Sequence, residues 1–317
     1  MDLIVYVHRA PEAGETILGT HFQTGCGGKG ANQCVQAAKL YDAKGKETAS
    51  VAMVGCVGVD VFGNEMVANF EKFGIDTSCI GRSQDTPSGV APIAVDAAGE
   101  NRIIVAPGAN FNILPETIRQ KEVSDLIAGS KVVVTQLEIP IESTFEALKV
   151  ARSAGRTTIF NPAPAPPDGK LPEGLLEVCD LICPNQTEAS LLTGLPCETI
   201  EDAKKCGAAL LKKMGGKGYV LVTLGKDGCL VVPADGDALH VPIPQGFLLQ
   251  KEEVVDSSGA GDSFIGALSF FLARGLSLEE GSRRACGVAS FSVKGRGTQT
   301  SYGDRSSLNS DLFANLP

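Results

Sequence analysis

Two glycine-rich turns carry the side chains most able to do chemistry. The later one is Val254-Val255-Asp256-Ser257-Ser258-Gly259-Ala260-Gly261-Asp262-Ser263. It reads as a strand running into a long helix with Phe264, Ala267, Leu268, Phe271 and Leu272 on its apolar face. Gly259, Ala260 and Gly261 open the first turn, so backbone N–H groups point outward with the positive end of the helix dipole. That is an anion site suited to a phosphoryl group in transfer. Asp262 is out of place at an anion site unless it takes a proton from a hydroxyl nucleophile. The plain alternative is an aspartate complementing the helix N-terminus, and this turn alone does not separate the two.

The earlier turn is Gly25-Cys26-Gly27-Gly28-Lys29-Gly30-Ala31-Asn32-Gln33. It contains GxGxxG, but the segment before it alternates in polarity instead of forming a buried strand, so a dinucleotide fingerprint is weakly supported. Gly30 follows Lys29 where a phosphate-binding P-loop needs Ser or Thr. Ala31, Cys34, Val35 and Ala38 then fall at helical spacing. The glycines let a ligand lie on the backbone while Lys29 and Asn32 hydrogen-bond its hydroxyls; the alternative is a turn with a solvated lysine.

Other polar positions follow apolar runs. Glu138 ends Lys131-Val132-Val133-Val134-Thr135-Gln136-Leu137. Asn185 and Glu188 stand one helical turn apart, able to order water around Mg²⁺ or simply to cap a helix. Thr223-Leu224-Gly225-Lys226-Asp227-Gly228 closes an apolar strand with a turn that could hold a nucleotide, or be a plain hairpin turn. His8, His21 and His240 are scattered in contexts that suggest no histidine chemistry.

The elements that must position these residues are short apolar runs alternating with helical patterns. Strand runs at 51–57, 131–137, Thr157–Phe160, 181–183 and Tyr219–Thr223 are separated by amphipathic stretches at 62–73, from 140, 186–192 and 200–214. This predicts an α/β fold with a mostly parallel sheet covered on both faces, where ligands sit at the carboxyl ends of strands. Segments 16–24, 90–95 and 102–105 break the alternation and read as a small antiparallel flap joined by 3–7, either a lid or an edge extension. In a chain of 317 residues this fits one large α/β domain, or a core with a smaller appendage.

Net charge is −9, and the basic residues do not cluster, which argues against nucleic acid or an anionic membrane as partner. No apolar run approaches the roughly 18 residues of a membrane helix, and the chain reads as cytoplasmic. Ten cysteines without a CxxC pair read as reduced, mostly buried thiols. Glycine is in excess, 37 residues, as expected where backbone must approach a ligand.

The motifs Gly27-Gly28-Lys29-Gly30-Ala31-Asn32-Gln33 and Asp256-Ser257-Ser258-Gly259-Ala260-Gly261-Asp262 together resemble the ribokinase/PfkB carbohydrate kinase family, over nearly the whole chain. The first motif, with Gln136-Leu137-Glu138 and Asn161-Pro162-Ala163-Pro164-Ala165, is similar to that family's ribokinase branch. The resemblance implies a three-layer α/β sandwich, 1–317, with a β-sheet lid at about 3–8, 16–24 and 88–106. It implies transfer of the ATP γ-phosphoryl group to O5 of D-ribose, with Asp262 as base and the Gly259, Ala260 and Gly261 amides as anion hole. Asp2, Gly28, Lys29, Gly30, Asn32 and Glu138 match sugar-contacting positions. Asn185, Thr223, Leu224, Gly225, Lys226, Asp227, Gly228 and Gly261 match nucleotide-contacting positions, with Cys286 lining the adenine pocket and Glu188 associated with Mg²⁺. Asp256, Ser258, Ser292, Gly295, Gly297 and Ser301 match an activating K⁺ site, and the lid implies a homodimer. Alternatives are another sugar or nucleoside kinase of the family, or a sugar- or nucleotide-binding protein without turnover. Family members carry a buried strand and a turn with an Asn two residues before the position of Asp2. This chain starts almost at Asp2, so it is expected to be truncated, with a sheet one strand short and apolar surface and ladder hydrogen bonds exposed.

Overall fold

Strands that bury both faces need apolar residues at every position, and the central strands have them. In the computed structural model, which describes residues 1–41, 51–98 and 100–316, these runs form one larger sheet and two smaller ones. In chain order the first half contains β1 (Asp2–Tyr6), β2 (His21–Gly25), α1 (Lys29–Lys39), β3 (Gly55–Gly58), α2 (Val61–Lys72), β4 (Ile80–Ser83), β5 (Ala91–Val95) and β6 (Asn101–Ile103). Then come α3 (Pro115–Arg119), α4 (Lys121–Gly129), β7 (Val132–Thr135), α5 (Ile141–Ser153), β8 (Thr157–Phe160), β9 (Leu181–Ile182), α6 (Gln186–Thr193) and α7 (Ile200–Lys213). The chain finishes with β10 (Tyr219–Thr223), β11 (Cys229–Pro233), β12 (Leu239–Val241), α8 (Ala260–Ala273) and α9 (Leu278–Ser292).

The larger sheet has the order β12-β11-β10-β9-β8-β7, with β7 to β10 parallel and the last two strands antiparallel. Side chains alternate between its faces. Ile159, Leu181, Leu221 and Val231 pack against α8 and α9, while Phe160, Ile182, Val220, Val222, Leu230 and Val232 pack against α5, α6 and α7. The architecture is therefore the three-layer α/β sandwich expected. The small sheet, order β2-β1-β5-β6, lies apart, and the turn position Gly99 falls outside the described residues.

Three sequence expectations are corrected. The run 51–57 becomes a strand only from Gly55, because Val51, Ala52 and Met53 meet their neighbour through isolated contacts to Asp76. The segment 16–24 is extended as a strand only from His21. Val254-Val255 is not a strand: the N–H groups of Val255 and Asp256 both turn to the carbonyl of Val293, and among the described residues no strand pairs with them. The β3–β4 pair does not join the larger sheet, and β7 pairs on one side only among the described residues. Between them a cavity of about 2180 Å³ is lined by Met53, Val54, Val133, Val134 and Phe270, and it continues to the glycine turns.

Candidate active site

Asp262 lies in the first turn of α8, behind Gly259 as N-cap. Gly259 has φ 73°, and a Cβ there would stand 2.7 Å from the Tyr302 hydroxyl, so the tight approach admits only glycine. Tyr302 donates to the Gly259 carbonyl (2.9 Å), locking the turn from below, and burial pushes its phenol pKa up. The Ala260 N–H folds back to Ser257, whereas the Gly261 and Asp262 amides find no backbone acceptor among the described residues.

The N-terminus of α1 meets that of α8. Asn32 Nδ2 donates to Asp262 Oδ2 and Gln33 Nε2 to Asp262 Oδ1, each at 2.9 Å. Gly28 caps α1 with φ 94°, and the Lys29 N–H donates to Glu138 Oε2 at 2.6 Å. Asp2 reaches the same turn from β1: a Cβ on Gly27 would lie 2.3 Å from its Oδ2. Gly30 is also close to Gln136, 2.8 Å from Oε1 to where a Cβ would be. Asp2, Gly28, Lys29, Gly30, Asn32, Glu138 and Asp262 thus line one cavity.

Burial raises the pKa values of Asp262, Glu138, Asp2 and Glu188 above the ordinary carboxylate range. The positive charge of Lys29 opposes that rise at Asp262, Glu138 and Glu188. The amides of Asn32 and Gln33 oppose it further at Asp262. A buried carboxylate whose ionised form is held by one cation and two amides can accept a proton from a hydroxyl placed beside it.

Asn185 and Glu188 form a reciprocal capping box on α6, Asn185 Oδ1 accepting from the Glu188 N–H and Glu188 Oε2 from the Asn185 N–H. Thr223 bridges to Asn185, which brings the Gly225–Asp227 turn beside that box. Leu224 is buried in the core, Lys226 and Asp227 are exposed, and Gly228 closes the β10–β11 hairpin. Cys286 lies beneath this turn in the core, its Sγ 4.0 Å from Cys229 Sγ. Asp256 accepts from the N–H groups of Ser258 (2.8 Å) and Gly297 (2.9 Å), and Gly295 packs on Ser301, close behind Ser292.

The donor chemistry fits the two ions differently. Around Asp256 the available donors are carboxylate, hydroxyl and carbonyl oxygens, the set a hard monovalent cation prefers. No group of three His, Cys, Asp or Glu that could hold a metal occurs among the described residues. A divalent ion near Glu188 would therefore be held mainly by phosphate oxygens and water, as Mg²⁺ usually is.

Gln136, Asn161, Gln299 and Tyr302 had no site role in the sequence reading, yet each touches the machinery. Gln136 and Asn161 stand at strand ends, a usable signal; nothing local marks Gln299. Among the described residues no helix is long and apolar enough to cross a membrane.

Comparisons agree with this geometry. A ribokinase of Mus musculus is 39% identical over 314 residues, 98% of this chain and 92% of that protein. A deoxyribokinase of Salmonella typhi is 36% identical over 315 residues, 99% and 96% of the two chains. The structure of Arabidopsis thaliana ribokinase complexed with ribose and ATP superposes with a TM-score of 0.85 at 31% identity, covering 99% of this chain and 95% of that one. Residues 1–305 match the family described as pfkB family carbohydrate kinase, and the chain belongs to that family.

Proposed function

We propose that the chain transfers the γ-phosphoryl group of ATP to O5 of D-ribose, with Asp262 as general base. The observation that carries this is the buried Asp262 carboxylate, held at the N-terminus of α8 and facing Lys29, Asn32, Asp2 and Glu138 in one cavity. Asp2, Lys29, Asn32 and Glu138 hold the sugar hydroxyls, and Asp262 takes the proton of the attacking hydroxyl as its oxygen bonds the γ-phosphorus and the bond from that phosphorus to the β-phosphate oxygen breaks, releasing ADP. Of the expected anion hole at Gly259, Ala260 and Gly261, the Ala260 N–H is taken up by Ser257, so the Gly261 amide, with that of Asp262 and the helix dipole, stabilises charge on the transferring group. Asn185, Thr223 and the turn through Gly228 hold the nucleotide. Mg²⁺ bound to the nucleotide, with Glu188 nearby, would neutralise phosphate charge. K⁺ held by Asp256, Ser258, Ser292, Gly295, Gly297 and Ser301 would order the adjoining anion-hole turn.

The small sheet serves as a lid over the sugar. The exposed apolar residues Phe22 and Ile103 in this sheet, with Leu18 and Ile104 flanking it, suit pairing with a second copy of the chain, and ATP as donor suits a cytoplasmic reaction.

A second sugar has a specific observation behind it: relatives at 36% identity are deoxyribokinases, whose named substrate lacks one hydroxyl. Coupled ADP release over ribose, 2-deoxyribose, fructose and nucleosides, with and without K⁺, tests the reading. Fastest turnover is expected with ribose. No ribose-dependent ADP release from folded chain would refute it.

A further inference from the structure

The two amides on Asp262 are themselves oriented. Gln299 Nε2 donates to Asn32 Oδ1 (3.0 Å), and Asn69 Nδ2 donates to Gln299 Oε1 (2.8 Å). Gln136 Nε2 donates to Gln33 Oε1 (2.5 Å). The Gln33 Nε2 group also donates to Asn161 Oδ1 (3.0 Å), and Asn161 Nδ2 donates to the Cys183 carbonyl (2.9 Å). An amide has one acceptor end and one donor end. With its oxygen engaged by Gln136, Gln33 can offer Asp262 only N–H. Turning the amide over would set oxygen against carboxylate oxygen and NH₂ against NH₂. The direction of Gln33 is therefore specified, and Asn32, Gln33, Asn161 and Gln299 are buried, where an unmet polar group is costly, while Gln136 and Asn69 at the ends of the relay are half-buried.

Asn32 lies where the sugar binds, but Gln33 is 2% exposed and its polar atoms are used within the protein. We propose that Gln33 is a positioning residue for phosphoryl transfer: it fixes the plane of the Asp262 carboxylate and leaves a lone pair free for the sugar hydroxyl. A carboxylate offers about four lone-pair sites, of which the two amides of α1 take two. This inference rests on Asp262 acting as the base.

The test uses the full chain and ADP release with ribose as a function of pH. Gln33→Met keeps the length of the side chain and removes its donors; Gln136→Met leaves Gln33 in place but removes the donor to its oxygen, so that Asn161 alone still holds the direction of the amide toward Asp262. The other titratable groups facing Asp262 remain: Lys29 from α1, Asp2 from β1, Glu138 from the loop after β7, Glu188 from α6, and Tyr302 from the C-terminal segment. In Gln33→Met, kcat should fall by about tenfold to a hundredfold, the loss of a hydrogen bond to a charged group. KM for ribose should stay within about threefold. The acidic limb of the kcat profile should move up by about one pH unit, because a donor favouring the ionised base is gone. Gln136→Met should shift the limb in the same direction by less, and it decides the matter if Gln33→Met does not fold. An unmoved limb, with or without a fall in kcat, overturns the proposal. Asp262→Asn run alongside separates the two readings. Near-normal turnover there removes the base assignment itself, whereas an inactive Asp262→Asn with an unmoved limb in the glutamine variants removes only the role of Gln33.

Discussion

The contact that brings α1 and α8 together is a glycine, and replacing it should disable the proposed site from a distance. Gly266 lies one turn after Asp262 on the same face of α8. A Cβ there would stand 2.3 Å from the Gln33 carbonyl oxygen and 2.8 Å from Gln36 Cβ. The obstacle is backbone, so no rotamer change relieves it. Reaching the 3.4 Å of ordinary contact requires α1 and α8 to separate by about 1 Å. A shift of that size carries the 2.9 Å bonds from Asn32 and Gln33 to Asp262 beyond hydrogen-bond range. Overpacking costs about 1–3 kcal/mol. Losing bonds to a charged group adds roughly 1.5–3 kcal/mol for each. Alanine gains only about 1 kcal/mol over glycine in a helix. Gly266→Ala should therefore lower Tm by at least roughly 3 °C for a chain of this size. Misplacement of the base by about 1 Å should lower kcat about a hundredfold. Gly281→Ala on α9 is the control, since its Cβ would make ordinary contacts of 3.4–3.6 Å with Leu268, Leu272 and Phe271. It should hold or raise Tm and leave kcat alone. Calorimetry and ADP release on both variants decide it. If Gly266→Ala melts and turns over like the unsubstituted chain, the helices have slack and the reasoning fails.

Three further outcomes follow from the site. Asp262→Asn should keep ribose binding by calorimetry and lose about 10²–10⁴ in kcat, the span usual for a general base; turnover near normal would refute that role. Burial holds Asp262 above the ordinary carboxylate pKa, so between the two values the folded chain binds more protons than the unfolded one. That contribution to stability is present below the window and lost as pH rises through it. Turnover should therefore rise with pH over a range in which Asp262→Asn gains Tm relative to the unsubstituted chain; a Tm difference independent of pH would contradict it. Asp256→Ala removes the acceptor of the Ser258 and Gly297 N–H groups and a candidate cation ligand, so kcat should fall by about tenfold and lose its response to K⁺. Equal turnover of the unsubstituted chain in K⁺ and in a large organic cation would refute the cation role.

How far the sequence discloses this protein depends on how local each cause is. Tyr219–Thr223 is legible because both faces of β10 are buried, so the apolar run is continuous. Val254-Val255 looks alike in composition yet has no strand beside it, and a sheet neighbour is not a property of the run itself. The glycine turns are legible for the same local reason: glycine beside Lys29, Asn32 or Asp262 states that backbone and ligand must come close. What orients those side chains comes from elsewhere in the chain. Gln299 reaches Asn32 across 267 residues, and Gln136 reaches Gln33 across 103. A glutamine in a motif announces a donor and an acceptor without saying which end faces the carboxylate. That direction is fixed by distant partners, Gln136 at the oxygen and Asn161 at the nitrogen, and so it is specified by the packing of α1 between α8 and the strand ends, not by the motif in which Gln33 stands.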